Sequence, residues 1–220
     1  GDRNRSERSM ELVWERLTDT EHNLSLLFAP PFDKTSDNPG YIKDYPPGVR
    51  ENGGQYSHAA AWTAWAYANL GDSERAWHLF DILNPIYQAD NQKRANQYRV
   101  EPYVSAADIY SQGSKLRRGG WTWYTGSAAW YQKVIVDWIL GIRASKDGLI
   151  IDPCIPDEWK EFKVKRLFRG VSYKITVVNK SKSDKTQKHI SVNGKVLAGN
   201  TIPIINQVIR IPINTYCIGI

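Results

Sequence analysis

Cysteine is nearly absent from this 220-residue chain: Cys154 and Cys217 stand far apart, in neither a CxxC nor a dense pattern. That spacing excludes a disulfide-stapled scaffold and points to two reduced thiols in a cytoplasmic setting. Long apolar runs are missing too. No segment approaches the ~20 consecutive apolar residues a spanning helix needs, and no signal peptide opens the chain. Histidine is sparse: His22, His58, His78 and His189 have no partner at HxxxH or HxH spacing, so neither a metal site nor a metal cofactor is expected. GxGxxG, a Walker phosphate loop and GxSxG are all absent.

The charge is unevenly placed. Residues 1–142 hold 15 Lys+Arg against 17 Asp+Glu, net −2, whereas residues 143–220 hold 14 against 6, net +8. The Lys-rich tail reads as a solvated face; a weak attraction to an acidic membrane surface is the sharper alternative. Nucleic acid is not an expected partner, because no recognised binding motif accompanies the charge.

What is present is concentrated. Tyr45-Pro46-Pro47-Gly48-Val49-Arg50-Glu51-Asn52-Gly53-Gly54-Gln55-Tyr56-Ser57-His58 packs a rigid turn, a cation, a carboxylate, amides, paired glycines and an imidazole into one stretch. Prolines fix the backbone, and glycines allow it to approach a ligand closely. The apolar run over residues 59–70 predicts a helix, which places the cluster where free N–H groups and the dipole favour an anion. The combination reads as half of a site for a sugar and an anion. Eight of the nine Trp precede residue 140. Trp62, Trp65, Trp77, Trp130 and Trp138 fall in helical patterns and read as packing, whereas Trp121 and Trp123, in a Gly-rich turn, suit stacking on a sugar.

Periodicity separates two segments. Helices are expected over residues 6–17, 55–70, 72–83 (Asp72 as N-cap, ended by Asn84-Pro85), 102–110 (opened by Pro102) and 125–142, with a long loop over 18–54. Strands are expected over 171–177, 207–211 and 215–220, and Asn193-Gly194 predicts a type I′ hairpin joining 190–192 to 195–197. The fold class is therefore mainly α with a C-terminal antiparallel β segment, divided as 1–142 and 143–220. The chain enters a helix at once and carries long loops between few helices. That pattern suggests part of a toroid of paired helices, the C-terminal portion of a larger enzyme.

Three stretches carry a resemblance: residues 45–58, Val100-Glu101-Pro102-Tyr103-Val104, and Arg118-Gly119-Gly120-Trp121-Thr122-Trp123-Tyr124-Thr125-Gly126-Ser127-Ala128. Together they resemble glycoside hydrolase family 94, the cellobiose and chitobiose phosphorylases. Leu27-Phe28-Ala29-Pro30-Pro31-Phe32-Asp33-Lys34-Thr35 and Pro39-Gly40-Tyr41-Ile42-Lys43 look most like its cyclic β-1,2-glucan synthase branch. The resemblance covers roughly residues 5–178. It implies the second half of an (α/α)6 barrel followed by a small β domain, with the catalytic Asp, the general acid, upstream of anything present here. It also implies inorganic phosphate as co-substrate and no cofactor. The implied partners are a β-glucan oligosaccharide, phosphate or glucose 1-phosphate, and the remainder of the parent polypeptide; a homodimer and an inner-membrane parent are compatible with it.

By the same resemblance, His58, Thr125 and Gly126 match phosphate-binding positions. Arg50 and Glu51 match acceptor-sugar positions, although the family often carries Lys where Arg50 stands. Gln55, Glu101, Trp123 and Tyr124 look like walls of the same cleft. Taken singly, His58 reads first as a core histidine; Arg50–Glu51 reads also as a surface salt bridge, and Glu101 also as a cap on the helix begun by Pro102. Arg117-Arg118 reads as a phosphate-steering pair or a solvated loop. Two other functions remain open at this level: a glycan-binding module without chemistry, and a helical-barrel hydrolase using Glu51 or Glu101 as base.

Overall fold

The computed structural model describes residues 1–180, 189–204 and 211–218, with side-chain surroundings for 1–179 and 190–204. The chain divides into two compact units, residues 1–70 with 75–134, and residues 71–74 with 135–220.

In the first unit, α1 (Arg3–Leu17) starts earlier than its apolar pattern, because the Asp2 side chain accepts from the Arg5 N–H at 3.1 Å and caps it. None of its residues is buried. The Tyr67 hydroxyl, donating to Met10 O at 2.7 Å, and Arg75, forked onto Glu11, hold it in place. α2 (Ser57–Leu70) buries Ala60, Ala61, Ala64 and Ala68; these short side chains let it pack against α6 (Thr125–Lys133). α3 (Ser73–Ile82) follows the Gly71 stop and buries Ala76, Leu79, Phe80 and Ile82.

The expected end at Asn84-Pro85 is real for α3, yet the same pair opens α4 (Pro85–Gln88). Asn84 Oδ1 accepts from the Ile86 N–H, and proline suits the first helical turn. α5 (Gln92–Tyr98) was not legible, since its polar face carries no apolar period; Asn91 caps it.

The helix expected over 102–110 does not form. Pro102 and Tyr103 make a turn, and Asp108–Ile109 is strand β4, paired antiparallel with β3 (Gln55–Tyr56). Neighbouring segments satisfy the backbone on both sides. Ser57 N–H donates to Ala107 O at 2.9 Å, and Ala107 N–H to Trp121 O at 2.6 Å. With those partners in place a helix has nothing to add. For the same reason α2 begins at Ser57 rather than at residue 55. The loop over 18–54 is also less bare than expected: β1 (Thr18–Asp19) pairs with β2 (Leu24–Ser25), and Gly40–Asp44 is a 3₁₀ helix. The helix expected over 125–142 is α6, then a π-helical turn at Val134–Ile139, and Ile142 already lies in a strand.

The second unit is β. β5 (Ile142–Ala144), β6 (Gly148–Ile151) and β11 (Thr201–Pro203) form one antiparallel sheet. β7 (Glu161–Phe168), β8 (Val171–Lys180), β9 (His189–Val192), β10 (Lys195–Leu197) and β12 (Ile211–Ile218) form another, in the order β10-β9-β12-β8-β7. Asn193 at φ 51° and Gly194 at φ 78° make the expected hairpin. The sheet departs from the all-antiparallel expectation at one place, where β8 and β12 run parallel. The strand candidate over 207–211 lies almost wholly outside the described residues, as do residues 219–220 and the Cys217 side chain that the thiol expectation needs.

His78 in α3 gives a testable pH dependence. Its ring stands edge-on to Trp14 at 5.4 Å, and Nε2 is buried without a hydrogen-bond partner among the described residues. Burial lowers its pKa below the ordinary 6.5, against a smaller opposing pull from Asp81. The unfolded chain therefore takes up the proton first as pH falls. The stability this neutral imidazole supplies is complete above about pH 6.5 and declines below it, by at most about 1.4 kcal/mol per pH unit for one proton. Urea midpoints at pH 7.5 and 5.5 should differ less in His78→Phe than in the wild type. An equal difference in both would remove His78 as the cause.

Candidate functional site

Three segments of the first unit, residues 45–58, 104–111 and 117–127, are drawn into one layer by short backbone ladders. β3 pairs with β4, Ile109 bridges to Gly119, and Gly120 N–H donates to Asp108 O at 2.8 Å. Asn52 sets the shape of the first segment from inside. It is fully buried; its Oδ1 accepts from Phe32 N–H at 2.7 Å and its Nδ2 donates to Phe32 O and Tyr45 O at 3.0 and 2.8 Å. Gly54 lies so close to this turn that a Cβ there would sit 2.9 Å from Arg50 O.

Arg50 takes a left-handed φ of 50°, with its N–H donating to Asp108 Oδ2 at 2.8 Å. Its guanidinium carbon lies 4.2 Å from the Trp121 ring centroid and 5.2 Å from that of Tyr45, and Nε is 3.5 Å from Glu51 Oε2. Burial pulls the Arg50 pKa down, but Tyr45, Glu51, Tyr124 and Asp108 together raise it. Tyr56 is also raised, by burial and then by Glu51 and Tyr124. Arg50 and Glu51 are 15% and 19% exposed, so they do not form the surface pair that their composition alone allows.

His58 is the second residue of α2. Its ring meets Trp62 edge-on at 4.8 Å, and a Cβ placed on Gly126 would come 3.9 Å from His58 Nδ1. The starts of α2 and α6 therefore meet at this imidazole. Thr125 and Gly126 open α6, Tyr124 at its N-cap position makes no side-chain capping bond, and both residues are exposed. An uncapped helix start with exposed N–H groups suits an anion. Tyr124 is near enough to help raise the pKa of both Arg50 and Tyr56.

Among the described residues Gln55 Nε2 and His58 Nε2 are buried without a hydrogen-bond partner, while Arg50 Nε and Glu51 Oε2, also buried, face only each other at 3.5 Å. Gln55 is anchored by its other end, where Oε1 accepts from Ser25 N–H at 2.7 Å. Buried polar atoms without a partner are uncommon in folded chains, and Gln55 Nε2 and His58 Nε2 lie three residues apart on this segment.

Other expected residues lie elsewhere or act differently. The Glu101 charge acts on Tyr98, whose hydroxyl is pushed up to about 12 by burial and then by that charge, and Glu101 O accepts from Val104 N–H at 3.3 Å. Since no helix starts at Pro102, Glu101 caps none. Trp123 (φ 62°, 64% exposed) meets Tyr103 edge-on at 6.3 Å. Arg117 neither steers an anion nor lies in a solvated loop: it is buried, donating to His22 O and Gln88 Oε1, both at 2.8 Å. Trp62 is 48% exposed and belongs to the His58 corner, while Trp65 and Trp130 stack at 5.3 Å as packing residues. Asp108 and Tyr56 were given no role from sequence. The readable signal was an acid inside the small apolar run 104–109, where burial demands a partner.

Among the described residues no three metal-ligating side chains gather, and no helix is long and apolar enough to cross a membrane. The sequence profile of the family described as the Glycosyl hydrolase 94 superfamily, catalytic domain, matches residues 1–141. The chain belongs to this family. It is 49% identical over 196 residues to the cyclic beta-(1,2)-glucan synthase NdvB of Rhizobium meliloti (strain 1021), covering 89% of this chain and 7% of that protein. It is 34% identical over 201 residues to the N,N'-diacetylchitobiose phosphorylase of Vibrio proteolyticus, covering 90% of this chain and 24% of that one. A 1,2-beta-oligoglucan phosphorylase of Listeria innocua is 32% identical over 123 residues, 50% of this chain and 11% of that protein. This glycosyl hydrolase 94 chain thus spans under a quarter of the length of each of these relatives.

Proposed function

We propose that the chain forms the phosphate and acceptor-sugar half of an inverting β-glucan phosphorylase-type glycosyltransferase. The wider architecture is the second half of an (α/α)6 toroid with a small β domain after it, and the substrate class is β-1,2-glucan. In the reaction a phosphate oxygen attacks the anomeric carbon from the face opposite the glycosidic oxygen. The bond to that oxygen breaks, and a general acid upstream of this chain delivers its proton there. Phosphate is already an anionic nucleophile, so no protein base is required, in contrast to a hydrolase. The site needs instead a pocket for a dianion beside the anomeric carbon.

His58, Thr125 and Gly126 take that role: an imidazole N–H, a hydroxyl and a helix-start N–H. Arg50 and Glu51 hold the leaving sugar, the guanidinium forking onto hydroxyls and the carboxylate accepting from them. Gln55, Glu101, Trp123 and Tyr124 wall the cleft. The observation that carries this reading is the pair of buried nitrogens without a hydrogen-bond partner among the described residues, Gln55 Nε2 and His58 Nε2, on the segment that also presents the Arg50–Glu51 pair. Inorganic phosphate is the co-substrate, and a cytoplasmic location, a homodimer and a weak membrane-surface role for the basic tail complete the proposal.

The division of labour can be tested in the full-length protein. Glu51→Gln should raise the acceptor sugar's KM and leave phosphate KM near its wild-type value. Thr125→Val, which removes a neutral donor, should raise phosphate KM by roughly 2- to 12-fold. Phosphate and acceptor are varied separately in both directions of the reaction. A Glu51→Gln enzyme whose only defect lay in phosphate KM would overturn the assignment.

A further inference from the structure

Asp108 has no part in the chemistry above, yet it is the most deeply enclosed acid of the site, only 1% exposed. It reaches the Arg50 turn from β4 rather than from the 45–58 segment. Its Oδ2 accepts the Arg50 backbone N–H at 2.8 Å, and Arg50 is a non-glycine residue in the left-handed region at φ 50°. A carboxylate is a strong acceptor for such an N–H, so this bond selects a conformation the chain would otherwise seldom visit.

The same residue holds the opposite wall. Asp108 O accepts from Gly120 N–H at 2.8 Å, and a Cβ at Gly120 would run into the Asp108 carboxylate. Only glycine allows this approach, and the next residue is Trp121, whose ring lies against the Arg50 guanidinium. One buried residue is therefore wedged between the segment that presents Arg50 and the segment that presents Trp121. Burial works against its charge and raises its pKa, a cost that the Arg50 N–H and the Arg50 charge only oppose. An apolar residue would remove that burial cost but would leave the Arg50 N–H without its acceptor.

We propose that Asp108 is a positioning residue for the acceptor-sugar subsite: through the Arg50 N–H it fixes the guanidinium between Trp121 and Glu51. The proposal rests on the reading of Arg50 and Glu51 as the acceptor side. It is tested in the full-length protein with Asp108→Ala, Asp108→Asn and Asp108→Glu, and with Arg50→Ala as a control on the reading beneath it. KM for acceptor, KM for phosphate, kcat and thermal unfolding are measured for each. Asp108→Ala should raise acceptor KM about tenfold or more through a misplaced guanidinium, with phosphate KM within about twofold. Asp108→Asn keeps an oxygen for the Arg50 N–H and should recover most of that loss.

If Asp108→Ala does not fold, Asp108→Glu decides: it keeps the charge, displaces the carboxylate by one methylene and should raise acceptor KM. Unchanged acceptor KM in a folded Asp108→Ala or Asp108→Glu enzyme would overturn the proposal. So would equal rises in both KM values without rescue by Asp108→Asn, since a merely structural role gives that pattern. Arg50→Ala separates the two levels. If it leaves acceptor KM unchanged, the acceptor reading itself fails; if it raises acceptor KM and Asp108→Ala does not, only the positioning role falls.

Discussion

The 220-residue chain on its own is expected to release no measurable glucose 1-phosphate from a β-1,2-glucan. Breaking the glycosidic bond expels a sugar alkoxide, a poor leaving group unless a proton arrives as the bond opens. Positioned general acids typically supply ~10²–10⁴ in rate. In the proposed mechanism that acid lies upstream of residue 1, and the chain spans 7% and 24% of the lengths of the synthase and the chitobiose phosphorylase it resembles. The carboxylates of the site are poor substitutes. Glu51 is paired with the Arg50 guanidinium, and Asp108 is enclosed and already bonded. Glucose 1-phosphate release from added glucan and inorganic phosphate, followed over hours with purified chain, checks this. Robust turnover would place the proton donor within these residues.

The second large effect concerns His58. In the full-length protein, His58→Ala should weaken phosphate use by about 10- to 200-fold, the equivalent of roughly 1.5–3 kcal/mol for one charge-assisted hydrogen bond. Glucan binding should change little. The expectation stands on position: Nε2 is buried and unpartnered, and Nδ1 faces the Gly126 turn that opens α6. Removing the ring also removes its edge contact with Trp62, so a thermal unfolding curve must accompany the kinetics. A mutant with a native unfolding temperature, a raised phosphate KM and an unaltered acceptor KM fits the proposal. A mutant that merely melts early fits a packing histidine.

The sequence was most legible where structure is local. Asn193-Gly194 specifies its own turn, and both residues take the positive φ such a turn requires. The start of α2 follows from an apolar run behind a glycine-rich loop, and the stop at Gly71 from a residue suited to a left-handed cap. Legibility failed where distant segments decide. Pro102 signalled a helix, but the backbone over 105–109 found partners at Ser57, Gly120 and Trp121, which no local pattern announces. The parallel pairing of β8 with β12 is likewise set by a long connection rather than by either strand.

The candidate site shows the same division. Arg50, Glu51, Gln55 and His58 lie on one short segment, and their types alone suggested a polar pocket. Asp108 was invisible because its role exists only once β4 lies beside the Arg50 turn. Arg117, which looked like a free cation, is spent on His22 O and Gln88 Oε1, partners 95 and 29 residues away. Charge read along a sequence says nothing about which cations folding has already committed.

Direct binding of inorganic phosphate tests the central claim without the complications of turnover. Equilibrium dialysis of labelled phosphate against the full-length protein, with no sugar present and ionic strength held fixed by chloride, compares the wild type with folded His58→Ala. The proposal expects saturable binding in the wild type and a Kd about 10- to 200-fold weaker in the mutant. Equal phosphate affinity in the two proteins would contradict it and leave His58 as a packing residue between α2 and α6.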